Sequence, residues 1–176
     1  MPTFLIFLAL HVAMFIGEVS LWRTEMNKMK IEVVPKGDVG IIFAKINEVR
    51  KEKGLNELKY DETLSGLSWA YGDDMVKRGY FGHINPEGED IGARLERARM
   101  AYSIAGEILA ENKSAEGAIK AWIASPSHYE TIMHDGYEKM GIGIVEADNG
   151  YNMYVVIFFR QLKWPYFTKT IIFGEQ

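Results

Sequence analysis

The sequence predicts an α+β domain, a three-layer α-β-α sandwich around a central, mostly antiparallel sheet. Two observations carry this. Apolar residues recur at helical spacing up to Met133, and from Met140 the period changes to two. The segment Tyr151 to Phe159 (YNMYVVIFF) is apolar at odd and even positions alike, the mark of a central strand covered on both faces. Helices come first and a strand-rich half follows, so layers of helix on each side of the sheet are expected.

Taken in order, Asp38 is read as the cap of a first helix. Ile42, Ile46 and Val49 form its apolar stripe, and Gly54 ends it. A second helix opens at Asp61, with Leu64, Leu67, Tyr71 and Met75 on one face and Gly79 as its stop. A third, short helix covers Asp90 to Arg99. Ser114 caps a fourth, whose Ala115, Ala118, Ile119 and Trp122 share a face, and Pro126 either stops it or starts the next turn. Ser127 to Met133 is one more short helix. Met140, Ile142 and Ile144 then share one face of a strand, and Asp148-Asn149-Gly150 marks a hairpin turn. Tyr166 to Phe173 is read as an added edge strand.

Ahead of this lies a different segment. Phe4 to Ile16 (FLIFLALHVAMFI) has the length of a signal-peptide apolar core rather than of a full membrane span. No Lys or Arg precedes it, no clear Ala-x-Ala site follows, and Arg23, Lys28 and Lys30 lie after it. The expected organisation is a signal peptide or membrane anchor over residues 1–22, a linker over 23–38 and one globular domain over 39–173. The expected location is extracellular or anchored at the cell surface. Translation from Met26 or Met29 would instead leave a cytoplasmic protein.

Composition removes several function classes. There is no cysteine, which excludes disulfides, thiolate zinc sites, iron–sulfur clusters and a Cys nucleophile. Net charge is −4 and no basic block stands out, so no nucleic acid is expected as a partner. Only His, Asp and Glu remain as strong side-chain metal ligands.

Three histidines fall in the globular part: His83, His128 and His134. His83 follows the glycine that ends the second helix. His128 follows Ser125-Pro126-Ser127 at a helix start. Glu107 is a carboxylate in a mostly apolar stretch, where it must be paired, hydrogen-bonded or neutral. Two imidazoles and one carboxylate can hold a zinc ion with an open position. Without metal, Glu107 can orient one imidazole while the other moves a proton. Spacing alone does not bring the three together. His134, near a helix end, is read as a charge–dipole contact. Gly141-x-Gly143 lies within a strand and is read as close backbone packing. Ser125 and Ser127 sit in no G-x-S-x-G elbow. Trp69, Trp122, Tyr71 and Tyr80 are read as core or cleft wall.

Several of these segments, in order, resemble one family. Asn47-x-x-Arg50 with Gly54-Leu55 and Leu58 resembles the opening helix of CAP (SCP-like extracellular) domains. Trp69-Ala70 with Asp74-Met75 resembles their second helix. Tyr80-Phe81-x-His83-x-x-Pro86-x-Gly88 resembles the first histidine motif, and Arg94 the arginine of the helix after it. Gly106-Glu107 and Trp122-x-x-Ser125-Pro126-x-His128 resemble the Gly-Glu-Asn and second histidine motifs. Tyr137-x-x-Met140-Gly141-x-Gly143 and the strand to Phe159 complete a likeness from Ile41 to Arg160, of the short, cysteine-free prokaryotic type.

The resemblance implies an α-β-α sandwich with a central cleft built on His83, Glu107 and His128, with an optional, weakly held Zn2+. It implies secretion, and binding roles more than any one catalytic activity. The expected partner is a small or hydrophobic ligand, or a protein, with membrane contact only through the N-terminal segment. The alternative is a zinc-assisted, peptidase-like hydrolase in the same cleft, and a third reading is a structural surface protein. Ile108 stands where the family motif has Asn. Tyr129 and Thr131 replace residues that prokaryotic members often fill with Arg and Asn. Ser125 stands where eukaryotic members often have a second cleft glutamate. At most three protein ligands would then face a metal. The tail from Gln161 to Gln176 lies outside the resemblance.

Overall fold

A computed structural model describes residues 35–163 and 169–174. The expected leader or anchor, the linker up to residue 34 and part of the expected Tyr166–Phe173 strand fall outside the described residues. Among the described residues, no helix is long and apolar enough to cross a membrane.

Helix α1 (Gly37–Glu52) leads to a two-residue strand β1 (Lys59–Tyr60), helix α2 (Glu62–Arg78) and helix α3 (Ile91–Arg97). Strand β2 (Tyr102–Asn112), helix α4 (Ala115–Ala124) and helix α5 (Pro126–Met133) follow. Strands β3 (Lys139–Glu146), β4 (Asn152–Gln161) and β5 (Thr170–Phe173) end the described chain. Ser114 is the cap the sequence signals, and Asp61 and Asp90 cap the helices expected to open at them. Asp61 accepts from the N–H groups of Thr63 and Leu64, Asp90 from that of Ala93, and Ser114 from that of Gly117. Gly79 closes α2 in the left-handed conformation, φ 68°, where a side chain would be strained. Pro126 starts α5 at its first turn.

The sheet order is β1-β3-β4-β2-β5, so β4 is the middle strand. The long pairings, β3 with β4 and β4 with β2, are antiparallel; the short edge strands β1 and β5 pair parallel. Alternation along β4 explains its doubly apolar sequence. Tyr154, Val156 and Phe158 pack with α1, α4 and α5. Met153, Val155, Ile157 and Phe159 pack with α2 and α3. These are the three layers.

On β3, Met140, Ile142 and Ile144 face the first layer, as their spacing predicts. The other face carries Gly141 and Gly143 because the α2 backbone lies directly on it. A Cβ on Gly141 would stand 2.3 Å from Leu64 Cβ, and one on Gly143 2.1 Å from the Trp69 nitrogen. The Asn47-x-x-Arg50 pair is structural. Asn47 exchanges two hydrogen bonds with the Leu58 backbone, and buried Arg50 donates to the carbonyls of Asn56, Ile132 and His134.

Two expectations need correction. Strand β2 sits between helices rather than after them. Its sequence, YSIAGEILAEN, lacks β-branched alternation and carries good helix formers, and pairing with β4 over its whole length overrides that preference. Helix α1 begins at Gly37 with Lys36 at its cap position, and Asp38 lies inside the first turn, where its charge suits the positive end of the helix. Trp69, read as core or cleft wall, is half exposed, whereas Trp122 is buried and donates to the Leu109 carbonyl.

Candidate functional site

Glu107 lies mid-way along β2, on the face toward α2 and α3, and has no exposed surface. A bare carboxylate there would be costly. Both its oxygens are engaged. Oε1 lies 2.8 Å from His83 Nδ1, and Oε2 is bound by the Arg94 guanidinium. Arg94 projects from the apolar stripe of α3, beside Ile91 and Leu95, and its Cζ lies 3.3 Å from the centroid of the Tyr71 ring. Its Nη1 also donates to the carbonyl of His83, at 3.2 Å.

The loop that carries His83 is tied down at several points. The Tyr71 hydroxyl donates to the Gly82 carbonyl. The Asn85 side chain accepts from the N–H groups of Glu87 and Glu89, and Gly88 takes a φ of 84° to make the turn. His83 is thereby presented on Glu107, with its ring edge toward β5.

The other ring nitrogen of His83, Nε2, donates to the carbonyl of Gly174 at 2.7 Å, because a carbonyl can only accept. The Gly174 N–H donates to the Glu107 carbonyl at 3.2 Å. The Phe173 ring lies against His83, centroids 4.8 Å apart and tilted by 38°.

His128, in the first turn of α5, approaches from the opposite layer. It is buried, and neither ring nitrogen has a hydrogen-bond partner among the described residues. Burial, and then the neighbouring charge of His83, hold its imidazole below the ordinary histidine range. Gly174 lies between the two imidazoles. A Cβ there would stand 2.5 Å from His128 Cδ2 and 2.9 Å from its Cα, so only glycine fits.

The structure therefore joins His83 and Glu107 directly and brings His128 to them across Gly174. Arg94 completes the site. The sequence did hold a signal for it: an arginine on the apolar stripe of a short helix needs a buried anion, and Glu107 is a carboxylate in an apolar strand. Gly174 and Phe173 lay outside every motif. The Nδ1 of His134 accepts from the Gly136 N–H at 3.0 Å, so that at the end of α5 this residue shapes the turn that follows. Ser125 and Ser127 bond each other at 3.2 Å, and neither hydroxyl meets a His128 ring nitrogen.

As placed, the donor atoms of His83 and Glu107 are all engaged. Among the described residues no group of three or more His, Asp or Glu side chains is arranged to hold a metal ion. A cavity of about 560 Å³ opens beside Arg94 and Tyr71. Its rim carries the Arg78–Glu87 and Arg97–Glu89 ion pairs, and its lining includes none of His83, Glu107 and His128.

Comparison with known proteins agrees with this architecture. An outer surface protein of Borrelia burgdorferi superposes with a TM-score of 0.67 at 26% identity, over 71% of this chain and 93% of that one. An extracellular protein containing an SCP domain from Bacillus anthracis gives 0.65 at 25% identity, over 71% of this chain and 41% of that one. Protein YkwD of Bacillus subtilis is 33% identical over 102 residues, 57% of this chain and 40% of its own length. The chain thus spans less than half of that curated relative. The model of the CAP, cysteine-rich secretory protein family matches residues 43–159, from helix α1 to the end of the buried run of β4. With that match over most of its length and the α-β-α sandwich around it, the chain belongs to the CAP family.

Proposed function

We propose that the chain is an extracellular or cell-surface binding domain whose ligand or protein partner enters the cleft between His83 and His128, floored by Glu107. The observation that carries this reading is the state of His128. Two buried ring nitrogens without partners among the described residues are expensive to maintain, and a ligand that supplies a polar group there is stabilised by satisfying them. Beside His83, Phe173 and Ile84 are exposed large apolar side chains; one lies on the His83 ring and the other follows it in the chain, and a ligand from outside takes the place that Gly174 holds between the imidazoles. An apolar rim about a few convergent polar groups suits a binding site. The kinship with a surface protein and an extracellular protein supports the location.

The zinc-assisted hydrolase is the second reading, favoured by the same His128 nitrogens, which have no partner among the described residues. It requires His83 to give up the Gly174 carbonyl. Thermal melts of the full chain with zinc chloride, and separately with decanoate as a hydrophobic anion, test both readings. Saturation to 100 times the dissociation constant stabilises a folded protein by about 2.7 kcal/mol, several degrees for a domain of this size. A decanoate shift lost in His83→Ala and His128→Ala supports the binding domain. A zinc shift lost in both supports the metal reading. A shift that both variants keep would place the ligand elsewhere and refute the assignment.

A further inference from the structure

We propose that the cleft is a site for an extended peptide, and that the chain's own C-terminal segment is its resident occupant. This rests on reading the cleft as a binding site and names the ligand class it takes. Strand β5 adds to the edge of β2 as a parallel strand, Ile104 to Glu107 against Thr170 to Phe173. Peptide addition to an open sheet edge uses this geometry: backbone hydrogen bonds hold the strand, and alternate side chains enter pockets. Here Ile171 leans on the α2–α3 layer and Ile172 on the opposite layer. Phe173 covers His83, and Gly174 threads between His83 and His128 with hydrogen bonds to His83 and to the Glu107 backbone. The recognised pattern is two aliphatic residues, an aromatic and a glycine.

Three features mark β5 as an occupant rather than as part of the sandwich proper. It lies beyond residue 159, where the family match ends. It is four residues long, with Thr170 and Phe173 exposed, whereas the paired part of β2 is mostly buried. At Lys169 it is held by a solvent-exposed ion pair to Glu96, which is weak, and by a distant contact of the ammonium with the Tyr102 ring, 5.6 Å from the centroid. With β5 away, Ile104 to Glu107 would present an unpaired strand edge, which readily accepts another strand.

The test has two arms. In the full wild-type chain, native-state hydrogen exchange compares the Gly174 amide with those of Val155 and Val156 in β4. A detachable occupant exchanges roughly a hundredfold or more faster than β4, through a local opening. Equal rates would show that β5 leaves only on global unfolding and would overturn the proposal without any variant. In the second arm the tail is unseated in the full chain by Gly174→Val, which meets the His128 backbone, or by Ile172→Asp. A synthetic peptide of residues 169–176 (KTIIFGEQ) is then added in trans, beside the same peptide carrying Gly174→Val. Saturable binding of the first peptide to either folded variant, little to wild type and none of the second peptide is the expected result. A folded variant that binds zinc or decanoate but not the peptide would overturn the proposal and leave the binding cleft standing. Failure of every probe would overturn both.

Discussion

The Nδ1 atom of His83 lies 2.8 Å from Oε1 of Glu107, a carboxylate with no surface of its own. The bond joins a loop to strand β2, next to the middle of the sheet, and fixes the side of the imidazole that faces it. Arg94 on the second carboxylate oxygen matches the buried charge, so the three side chains form one unit.

That unit predicts a strong coupling. Glu107→Leu leaves the Arg94 guanidinium buried without its anion and should destabilise by about 3–5 kcal/mol. The double variant Glu107→Leu/Arg94→Met should lose clearly less than the sum of the two single losses. Urea unfolding measures all three. Additive losses would show that the two residues do not share a buried pair.

Two glycines predict opposite signs. Gly66 lies in α2 with open space where a Cβ would go, so Gly66→Ala should stabilise by about 0.5–1 kcal/mol. Gly141 faces Leu64 with no room, so Gly141→Ala should cost about 1–3 kcal/mol or more. Thermal melts of both variants check the contrast, and a stable Gly141→Ala would contradict the close approach of α2 to β3.

Asp61 predicts the acid limb of stability. Burial alone would raise its carboxyl, but hydrogen bonds from Lys139 and from the Leu64 and Thr63 N–H groups, with the charge of Lys139, hold it below the ordinary aspartate range. A folded-state value below the unfolded one gives stability that is present above about pH 4 and lost as pH falls through the folded value. Asp61→Asn should therefore lower stability at neutral pH and flatten the decline below about pH 4. Urea melts across pH measure it, and an unchanged acid slope would refute the assignment.

Arg50 predicts a purely structural loss. Arg50→Met strands three carbonyl acceptors that join α1 to the following loop and to the end of α5, at a cost of about 2–4 kcal/mol. Ligand binding in the folded fraction should be unchanged. Altered affinity would place Arg50 in the site.

Much of this was legible in the sequence because each signal was local. The caps Asp61, Asp90 and Ser114, the stop at Gly79 and the two-faced run of β4 each state their own structure. Glu107 was legible as a buried carboxylate needing partners, and its partners are His83 and Arg94. What escaped depends on pairing between distant segments. Strand β2 has helix-like composition and is a strand through its ladder with β4. The approach of His128 to His83 runs through a glycine 91 residues from the first imidazole, at a place where no pattern in the tail announces it.

The most direct test of the site is the nitrogen-15 spectrum of the histidine side chains in the full chain. The expected spectrum has a His83 Nε2 proton shielded from solvent exchange and held by the Gly174 carbonyl. Its resonance should move in both Glu107→Gln and Gly174→Val, and stay in place in Asp61→Asn. A His83 ring proton that exchanges freely with water, and that neither of the first two variants moves, would contradict the assembly of His83, Glu107 and the C-terminal strand into one cleft.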